Sequence, residues 1–145
     1  ISQMLDAVDD KSIGLLTIQL NDPQGYGRII RDAAGKIEAI VEQKDANPQQ
    51  LQVDEVNTGV MSLTSEQLAE WLPLIDNNNA QGEYYLTDLI SIARKAGYSI
   101  NGIQPSSVAE VQIVAGIGMN FRRVLVEPRR IELLTSCMPC RRSPS

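Results

Sequence analysis

Residue patterns typical of strands occur at four places along the chain. Residues 13–20 form a nearly continuous apolar run, which predicts a buried strand. Residues 28–31 and 36–42 flank the turn sequence Asp-Ala-Ala-Gly and predict a β-hairpin. Residues 53–63 and 98–103 are further candidate strands. The first of these two is interrupted by Asn-Thr-Gly, where a glycine indicates a bulge or a close approach to the backbone.

The second arm of the hairpin alternates acidic and apolar residues. Strict alternation places Glu42 on one face of the strand together with Glu38 and Ile40. The opposite face then carries Ile37, Ala39 and Val41. Glu42 is therefore expected to project over the sheet, where it can reach a ligand. A solvated carboxylate on an edge strand is the alternative interpretation.

Two later segments carry apolar residues at helical spacing. Thr64 and Gln67 form a capping box, and a core-facing stripe follows at Leu68, Trp71, Leu72 and Ile75. Thr87 is predicted to cap a second helix that Gly97 ends. The stripe of this second helix consists of Leu89, Ile92, Ala93 and Ala96. Residues 4–8 have the pattern of the last turn of a further helix.

The order of predicted elements is strand, hairpin, strand, helix, helix, strand. This order predicts an α/β fold in which a mixed sheet lies between helices. The 145 residues suffice for one domain with one core. Ligands of open α/β sheets bind at the carboxyl ends of the strands. We therefore expect the loop containing Gly27 and the segment around Asn57 to meet there, provided that their strands are neighbours.

The charge distribution divides the chain near residue 112. Residues 1–112 contain 7 basic and 16 acidic residues, a net charge of −9, whereas residues 113–145 contain 6 arginines and 2 glutamates, a net charge of +4. The acidic part disfavours nucleic acid, because it repels a phosphate backbone. The basic part is rich in arginine and proline and has no clear period, so it is predicted to be disordered or foreign to the fold. A basic tail that binds an acidic partner is the alternative.

The two cysteines, Cys137 and Cys140, both lie in the basic part. One Cys-x-x-Cys pair in a chain without histidine provides only two of the four ligands that a structural zinc site needs. The pair also lacks the strand-to-helix context of a redox motif. The pattern predicts neither a metal nor a redox site. A cysteine-free body is compatible with the reducing cytoplasm, and no apolar run approaches the ~18 residues of a membrane span.

Small, amide and acidic side chains concentrate in three segments, residues 25–28, 54–61 and 79–88. Glycine lets a ligand approach the backbone closely, and a neighbouring asparagine or glutamate can bond hydroxyl groups. A sugar is the kind of ligand that such a surface suits. Each segment on its own is also typical of an ordinary turn.

Taken together, these segments resemble the second half of the uridylyltransferase domain of the bacterial bifunctional enzymes that make UDP-N-acetylglucosamine. The matching motifs are Asp-Pro-Gln-Gly-Tyr-Gly-Arg-Ile at 22–29, Ile-Val-Glu-Gln-Lys-Asp-Ala at 40–46, Glu-Val-Asn-Thr-Gly at 55–59 and Asn-Asn-Asn-Ala-Gln-Gly-Glu-Tyr-Tyr-Leu-Thr-Asp at 77–88. The resemblance implies a partial Rossmann-like nucleotide-diphospho-sugar transferase fold. It assigns residues 1–112 to the second half of a sugar-1-phosphate nucleotidyltransferase domain and leaves residues 113–145 as a divergent tail.

The resemblance implies a reaction in which the phosphate of N-acetylglucosamine 1-phosphate attacks the α-phosphorus of UTP and pyrophosphate leaves. Carried over by position, Gly27 contacts the sugar through its backbone, and Glu42 and Asn57 bond the sugar. Tyr85 and Thr87 match residues near the sugar and its phosphate. No residue of this chain is assigned a catalytic role.

The resemblance also implies that several family elements have no counterpart among these residues. The glycine-rich triphosphate loop, the uracil-binding residues and a Mg²⁺-binding aspartate are expected before Ile1. The asparagine that shares the Mg²⁺ is not matched after Gln112, since Asn120 comes too late. The β-helix through which the family trimerises is not matched either. We therefore expect a cytoplasmic sugar half-site without turnover of its own and without nucleic-acid or membrane partners.

Two alternatives belong to different classes of protein. One is a carbohydrate-binding module that retains only the sugar site. The other is a truncated product without activity, because an incomplete sheet leaves an unprotected edge and an unfilled core.

Overall fold

The computed structural model describes residues 8–105 in full and the backbone of residues 124–127 and 130–134. The strands are β1 Ser12–Gln19, β2 Arg28–Arg31, β3 Ile37–Val41, β4 Glu55–Leu63, β5 Ser99–Ile103, β6 Val124–Glu127 and β7 Arg130–Leu134. The helices are α1 Ser65–Trp71 and α2 Asp88–Lys95, and short 3₁₀ turns cover Gln50–Gln52 and Leu72–Leu74. The helical turn predicted at the start of the chain falls, apart from Val8, outside the described residues, as do both cysteines.

Five strands form a mixed sheet in the order β3-β2-β4-β1-β5. β1 and β5 are parallel, whereas the β2–β3, β2–β4 and β1–β4 pairs are antiparallel. This arrangement confirms the α/β fold class with a mixed sheet that the order of elements predicts. β7 adds an antiparallel pairing along Val60–Leu63 of β4, and β6 pairs with β7. The division of the chain at residue 112 stays a prediction.

The β2–β3 hairpin contains an irregularity that overturns one sequence prediction. The register pairs Ile29 with Ile40 but then shifts, so that Arg31 lies opposite Ile37. Both Ile37 and Ile40 consequently belong to the buried core. The strict alternation that placed these two isoleucines on opposite faces is therefore wrong at Ile37, because a bulge changes the face that a strand residue presents.

A second irregularity lies where β1 pairs with β4. Leu15 is opposite Met61 and Thr17 is opposite Asn57, so β4 carries two more residues than β1 between these pairs. Gly59 lies in this bulge with φ +82°, a conformation that favours glycine. The Thr58 hydroxyl donates to the carbonyl of Leu16 at 2.8 Å. The bulge expected at the Asn-Thr-Gly interruption is confirmed.

Both helices pack into one apolar core with the sheet. The core includes Leu15 and Met61 from the strands, Trp71 from α1, and Leu89 and Ile90 from α2. The predicted capping box is present, because the Thr64 hydroxyl accepts from the Gln67 backbone while the Gln67 side chain accepts from the Thr64 backbone. Leu72, in contrast, is 49% exposed, so its predicted place in the core is wrong. The α-helix ends at Trp71, and the 3₁₀ turn that follows no longer keeps the 3.6-residue period.

The second helix has the predicted end but a different start. Gly97 adopts φ +87° directly after the helix, as expected of a helix stop. Thr87 precedes α2 with helical backbone angles, and its side chain makes no capping hydrogen bond. The predicted capping role of Thr87 is therefore wrong. Its hydroxyl is directed instead to a carboxylate on the sheet.

Candidate functional site

The sheet register aligns the three principal candidate residues in one row. Arg28 pairs with Val41 of β3 and with Val56 of β4, so the next step along the strands places Gly27 between Glu42 and Asn57. The Asn57 amide donates to the carbonyl of Gly27 at 2.9 Å. Thr17 continues the row as the β1 partner of Asn57. The strands that carry these residues are neighbours, which was the condition for Gly27 and Asn57 to meet, and the row lies toward the carboxyl ends of the parallel strands β1 and β5.

Glu42 lies directly against Gly27. A Cβ atom built on Gly27 would be 3.2 and 3.3 Å from the two carboxylate oxygens of Glu42 and 2.9 Å from Cγ2 of Ile40. The buried Thr87 hydroxyl donates to Oε1 of Glu42 at 3.0 Å. Oε2 makes no hydrogen bond within residues 8–105. The glycine thus leaves just enough room for the carboxylate, which keeps one oxygen for a ligand.

Burial is the main influence on the Glu42 carboxyl. It raises the pKa of Glu42 because water solvates the charged form better than the protein does. The hydrogen bond from Thr87 acts in the opposite direction, and the charges of Asp45 and Asp88 raise the pKa further. The pKa of Asp88 is raised as well, first by burial and then by Asp76 and Asp45. Two carboxyls on this side of the sheet therefore bind protons more tightly than usual.

Asn57 supplies the other side of the row. It is 95% buried, with a relative exposure of 5%. Its Oδ1 atom accepts from the Gly59 backbone at 3.0 Å, which fixes the side chain within the bulge. The Nδ2 group makes no hydrogen bond to any described residue, so it remains a donor for a ligand.

Tyr85 and the loop before it directly precede Thr87, the residue that bonds Glu42. Tyr85 is half-buried, and its carbonyl accepts from the Asp88 amide at 3.0 Å. Two side chains that follow Glu42 hold the loop: Asp45 accepts from the Ala80 amide at 2.7 Å, and Lys44 donates to the Gln81 side chain. These contacts connect the exit of β3 to the segment that carries Tyr85 and Thr87.

A polar network around Glu55, beside Asn57 on β4, was not predicted from the sequence. Glu55, two residues before Asn57, accepts from Thr17 at 2.7 Å and from Arg31 Nε and Nη2 at 2.8 and 2.7 Å. Gln104 adds a 3.5 Å contact. Burial acts to raise the pKa of Glu55, but these hydrogen bonds and the Arg31 charge outweigh it, so that the pKa is lowered. The sequence offered only an acidic residue at the first position of β4 as a signal.

This network predicts a pH-dependent contribution to stability. Because folding lowers the pKa of Glu55, its stabilising effect is complete above the ordinary pKa of glutamate and is lost as pH falls through the lowered value. We expect Glu55→Gln to lower the free energy of unfolding by about 1–3 kcal/mol at neutral pH. Urea unfolding followed by Trp71 fluorescence measures the difference, which should narrow in acid. Glu38→Gln, at an exposed position, is the control. A difference in the free energy of unfolding between Glu55→Gln and the unaltered chain that does not change with pH would contradict the lowered pKa of Glu55.

The described residues contain no group of three or more Asp, Glu, His or Cys side chains placed to hold a metal ion. None of the helices in the described part of the chain is long and apolar enough to cross a membrane.

The structure thus brings four of the five predicted site residues into a connected group. Gly27 touches Glu42 and Asn57, and Thr87 bonds Glu42. Tyr85 lies two residues before Thr87 in the chain. The mixed sheet and this polar row define an α/β protein with a candidate small-molecule site at its strand ends.

Comparison with curated proteins identifies the family. The chain is 50% identical over 131 residues to the bifunctional protein GlmU of Saccharophagus degradans, covering 90% of this chain and 28% of that protein. The corresponding values are 47% over 131 residues, 90% and 28% for GlmU of Burkholderia ambifaria, and 47% over 131 residues, 90% and 27% for GlmU of Methylococcus capsulatus. No profile of a known protein family matches the chain. The chain belongs to the family of the bifunctional protein GlmU, of which it matches one segment.

The chain spans only a little over a quarter of the length of these relatives. The matched 131 residues also exceed the 112 over which the motifs were recognised. The family resemblance drawn from the motifs is confirmed, and the activity of the whole protein is a matter of proposal.

Proposed function

We propose that this segment forms the sugar-binding half of a nucleotidyltransferase site that makes UDP-N-acetylglucosamine and pyrophosphate from N-acetylglucosamine 1-phosphate and UTP. The observation that carries the proposal is the alignment of Glu42, Gly27 and Asn57 across three neighbouring strands. GlmU relatives with 45–50% identity over about nine tenths of the chain support it.

The chemistry of the row suits a ring that carries hydroxyl groups. Strands are about 4.8 Å apart, so the backbones of Glu42 and Asn57 lie about 10 Å from each other with Gly27 between them. Glu42 Oε2 provides an acceptor on one side, and Asn57 Nδ2 provides a donor on the other. Gly27 has no side chain to fill the space between them. A sugar hydroxyl both donates and accepts, so it can satisfy either group.

The role proposed for these residues is to bind and orient the sugar phosphate. Phosphoryl-type transfer depends mainly on the positioning of the reactants and on the neutralisation of developing charge. Mg²⁺ would supply part of that neutralisation in the intact enzyme. Arg31 and Lys44 are already engaged with protein groups. We therefore propose that the chain by itself binds the sugar phosphate in the cytoplasm without turning it over.

Saturation-transfer difference NMR with N-acetylglucosamine 1-phosphate tests the proposal. We expect binding by the unaltered chain and at least about tenfold weaker binding by Asn57→Ala, which removes a buried donor to the ligand. The matched control is Asn21→Ala, at an exposed position in the loop after β1, which should bind normally. Far-UV circular dichroism verifies that each variant is folded.

The outcomes separate the proposal from its alternatives. A folded chain that gives no signal contradicts the sugar half-site, as does equal binding by Asn57→Ala and the unaltered chain. Release of pyrophosphate from UTP by the isolated chain would contradict the proposed lack of turnover. Binding of N-acetylglucosamine with no preference for its 1-phosphate would favour a carbohydrate-binding module. An unfolded spectrum would favour the inactive truncated product.

A further inference from the structure

Arg28 is a buried cation without a counter-ion among residues 8–105. Its relative exposure is 3%, and its Nε atom is buried without a hydrogen-bond partner. The ion pairs within residues 8–105 join Arg31 to Glu55 and Arg94 to Asp32, and neither includes Arg28. Burying a charge without a counter-charge costs several kcal/mol in general. A group kept in such a place therefore calls for a physical explanation.

The contacts of Arg28 are directed at one short loop. Nη1 donates to the carbonyl of Tyr26, and Nη2 donates to Oε1 of Gln43 at 3.4 Å. The same Gln43 oxygen also accepts from the Gly25 amide. Gly25 has φ +87°, so this turn is one that most side chains disfavour. The two side chains thus hold the backbone of Gly25 and Tyr26 from both ends, and we call this arrangement the Arg28–Gln43 clamp.

The clamp is joined to the candidate site by the residues that follow it. Gly27 comes directly after the clamped pair, and Gln43 comes directly after Glu42. Successive strand residues face opposite sides of a sheet, so Arg28 lies behind the face on which Gly27 meets Glu42. The carbonyl of Gly27 in turn accepts from the Asn57 amide at 2.9 Å. A displacement of the clamped loop would therefore move the central member of the row relative to both of its neighbours.

We propose that Arg28 and Gln43 are positioning residues that fix Gly27 between Glu42 and Asn57 without touching the ligand. The essential feature of Gln43 is its acceptor oxygen, which serves the Gly25 amide and Arg28 at once. The forked guanidinium of Arg28 is needed because one donor holds Tyr26 while another holds Gln43. The effect on affinity rests on the proposed sugar site, whereas the effect on the loop does not.

The experiment compares Gln43→Leu, which removes the acceptor at similar size, with Gln43→Glu, which keeps it. Hydrogen exchange of the Gly25 and Asn57 amides is measured by NMR, with the Leu15 and Met61 amides in the core as internal references. We expect Gln43→Leu to accelerate exchange at Gly25 about tenfold or more and to weaken binding of N-acetylglucosamine 1-phosphate about fivefold or more. Gln43→Glu should keep both the Gly25 exchange rate and the affinity at the level of the unaltered chain. Arg28→Lys should loosen the loop as Gln43→Leu does.

Each result decides the proposal. It is overturned if Gly25 exchange in Gln43→Leu equals that of the unaltered chain, or if exchange rises equally at Leu15 and Met61, which would indicate general destabilisation. Failure of Gln43→Glu to restore the exchange rate overturns the role of the acceptor oxygen. If the unaltered chain does not bind the sugar phosphate, the proposed function fails, while the exchange data still decide whether the clamp fixes the loop.

Discussion

Gly27→Ala is expected to abolish detectable binding of N-acetylglucosamine 1-phosphate and to destabilise the fold. The added methyl group would lie 2.9 Å from Cγ2 of Ile40, closer than carbon atoms normally approach, and 3.2 Å from a Glu42 oxygen. Overpacking of this kind costs about 1–3 kcal/mol. To relieve it, the Ile40 side chain must shift and Glu42 must give way by a few tenths of an ångström, so the acceptor for the sugar is displaced as well.

A second glycine provides the matched control for this result. A Cβ built on Gly102 would lie 2.8 Å from Cδ1 of Ile37, so Gly102→Ala creates a comparable clash with a buried isoleucine. Gly102 is on β5, outside the row. We expect both variants to lower the urea midpoint monitored by Trp71 fluorescence, but only Gly27→Ala to lose the saturation-transfer signal. Equal loss of binding in both variants would show that the effect follows stability, and would contradict the local role of Gly27.

Glu42→Gln is expected to weaken binding by about 10–100-fold, because a charged acceptor contributes about 1.5–3 kcal/mol to a hydrogen bond. The same change is expected to stabilise the fold at neutral pH. Burial raises the pKa of Glu42, so the folded state disfavours its charged form. Glutamine has no charge to bury, and its Oε1 atom can still accept from the Thr87 hydroxyl.

The sign of the pH dependence distinguishes this effect from a general gain in stability. In acid, the raised pKa of Glu42 does not lower the free energy of unfolding. The unaltered chain loses stability as pH rises from the ordinary pKa of glutamate through the raised value. The stability advantage of Glu42→Gln over the unaltered chain should therefore widen with pH. The Glu55→Gln gap also widens with pH but has the opposite sign, because that variant is the less stable partner. Glu38→Gln, an exposed change on the strand that precedes Glu42, should alter neither stability nor binding. A gap that narrows as pH rises would refute the burial of a charged Glu42.

Local sequence signals predicted most of the described fold because each acts over a few residues. The Thr64–Gln67 capping box and the Gly97 stop depend on hydrogen bonds or backbone angles within one turn, and both are confirmed. The apolar run at the start of the chain likewise identified β1 to within one residue at each end. The prediction failed at Ile37 because a bulge depends on the partner strand, and no partner is visible in a sequence pattern.

The candidate site was accessible from the motifs, but its supporting contacts were not. The predicted residues Gly27, Glu42 and Asn57 fall into one row, yet their roles in sugar binding remain predictions. Thr87 illustrates the limit, since threonine before a helix predicts a cap, whereas its hydroxyl bonds a carboxylate 45 residues earlier in the chain. Arg28 shows the same limit, because nothing in its neighbours indicates that its charge is buried.

The bulge in β4 constrains the number of residues there more strongly than their identity. Two surplus residues between the Met61 and Asn57 pairings preserve the parity of the strand, so Asn57 still faces the same way as its β1 partner. Loss of a single residue from this stretch would reverse that parity and turn the Asn57 amide toward the opposite surface. A one-residue deletion is thus expected to abolish ligand binding by the row while the strand itself persists. A two-residue deletion would remove the bulge and leave the Asn57 amide on its original side.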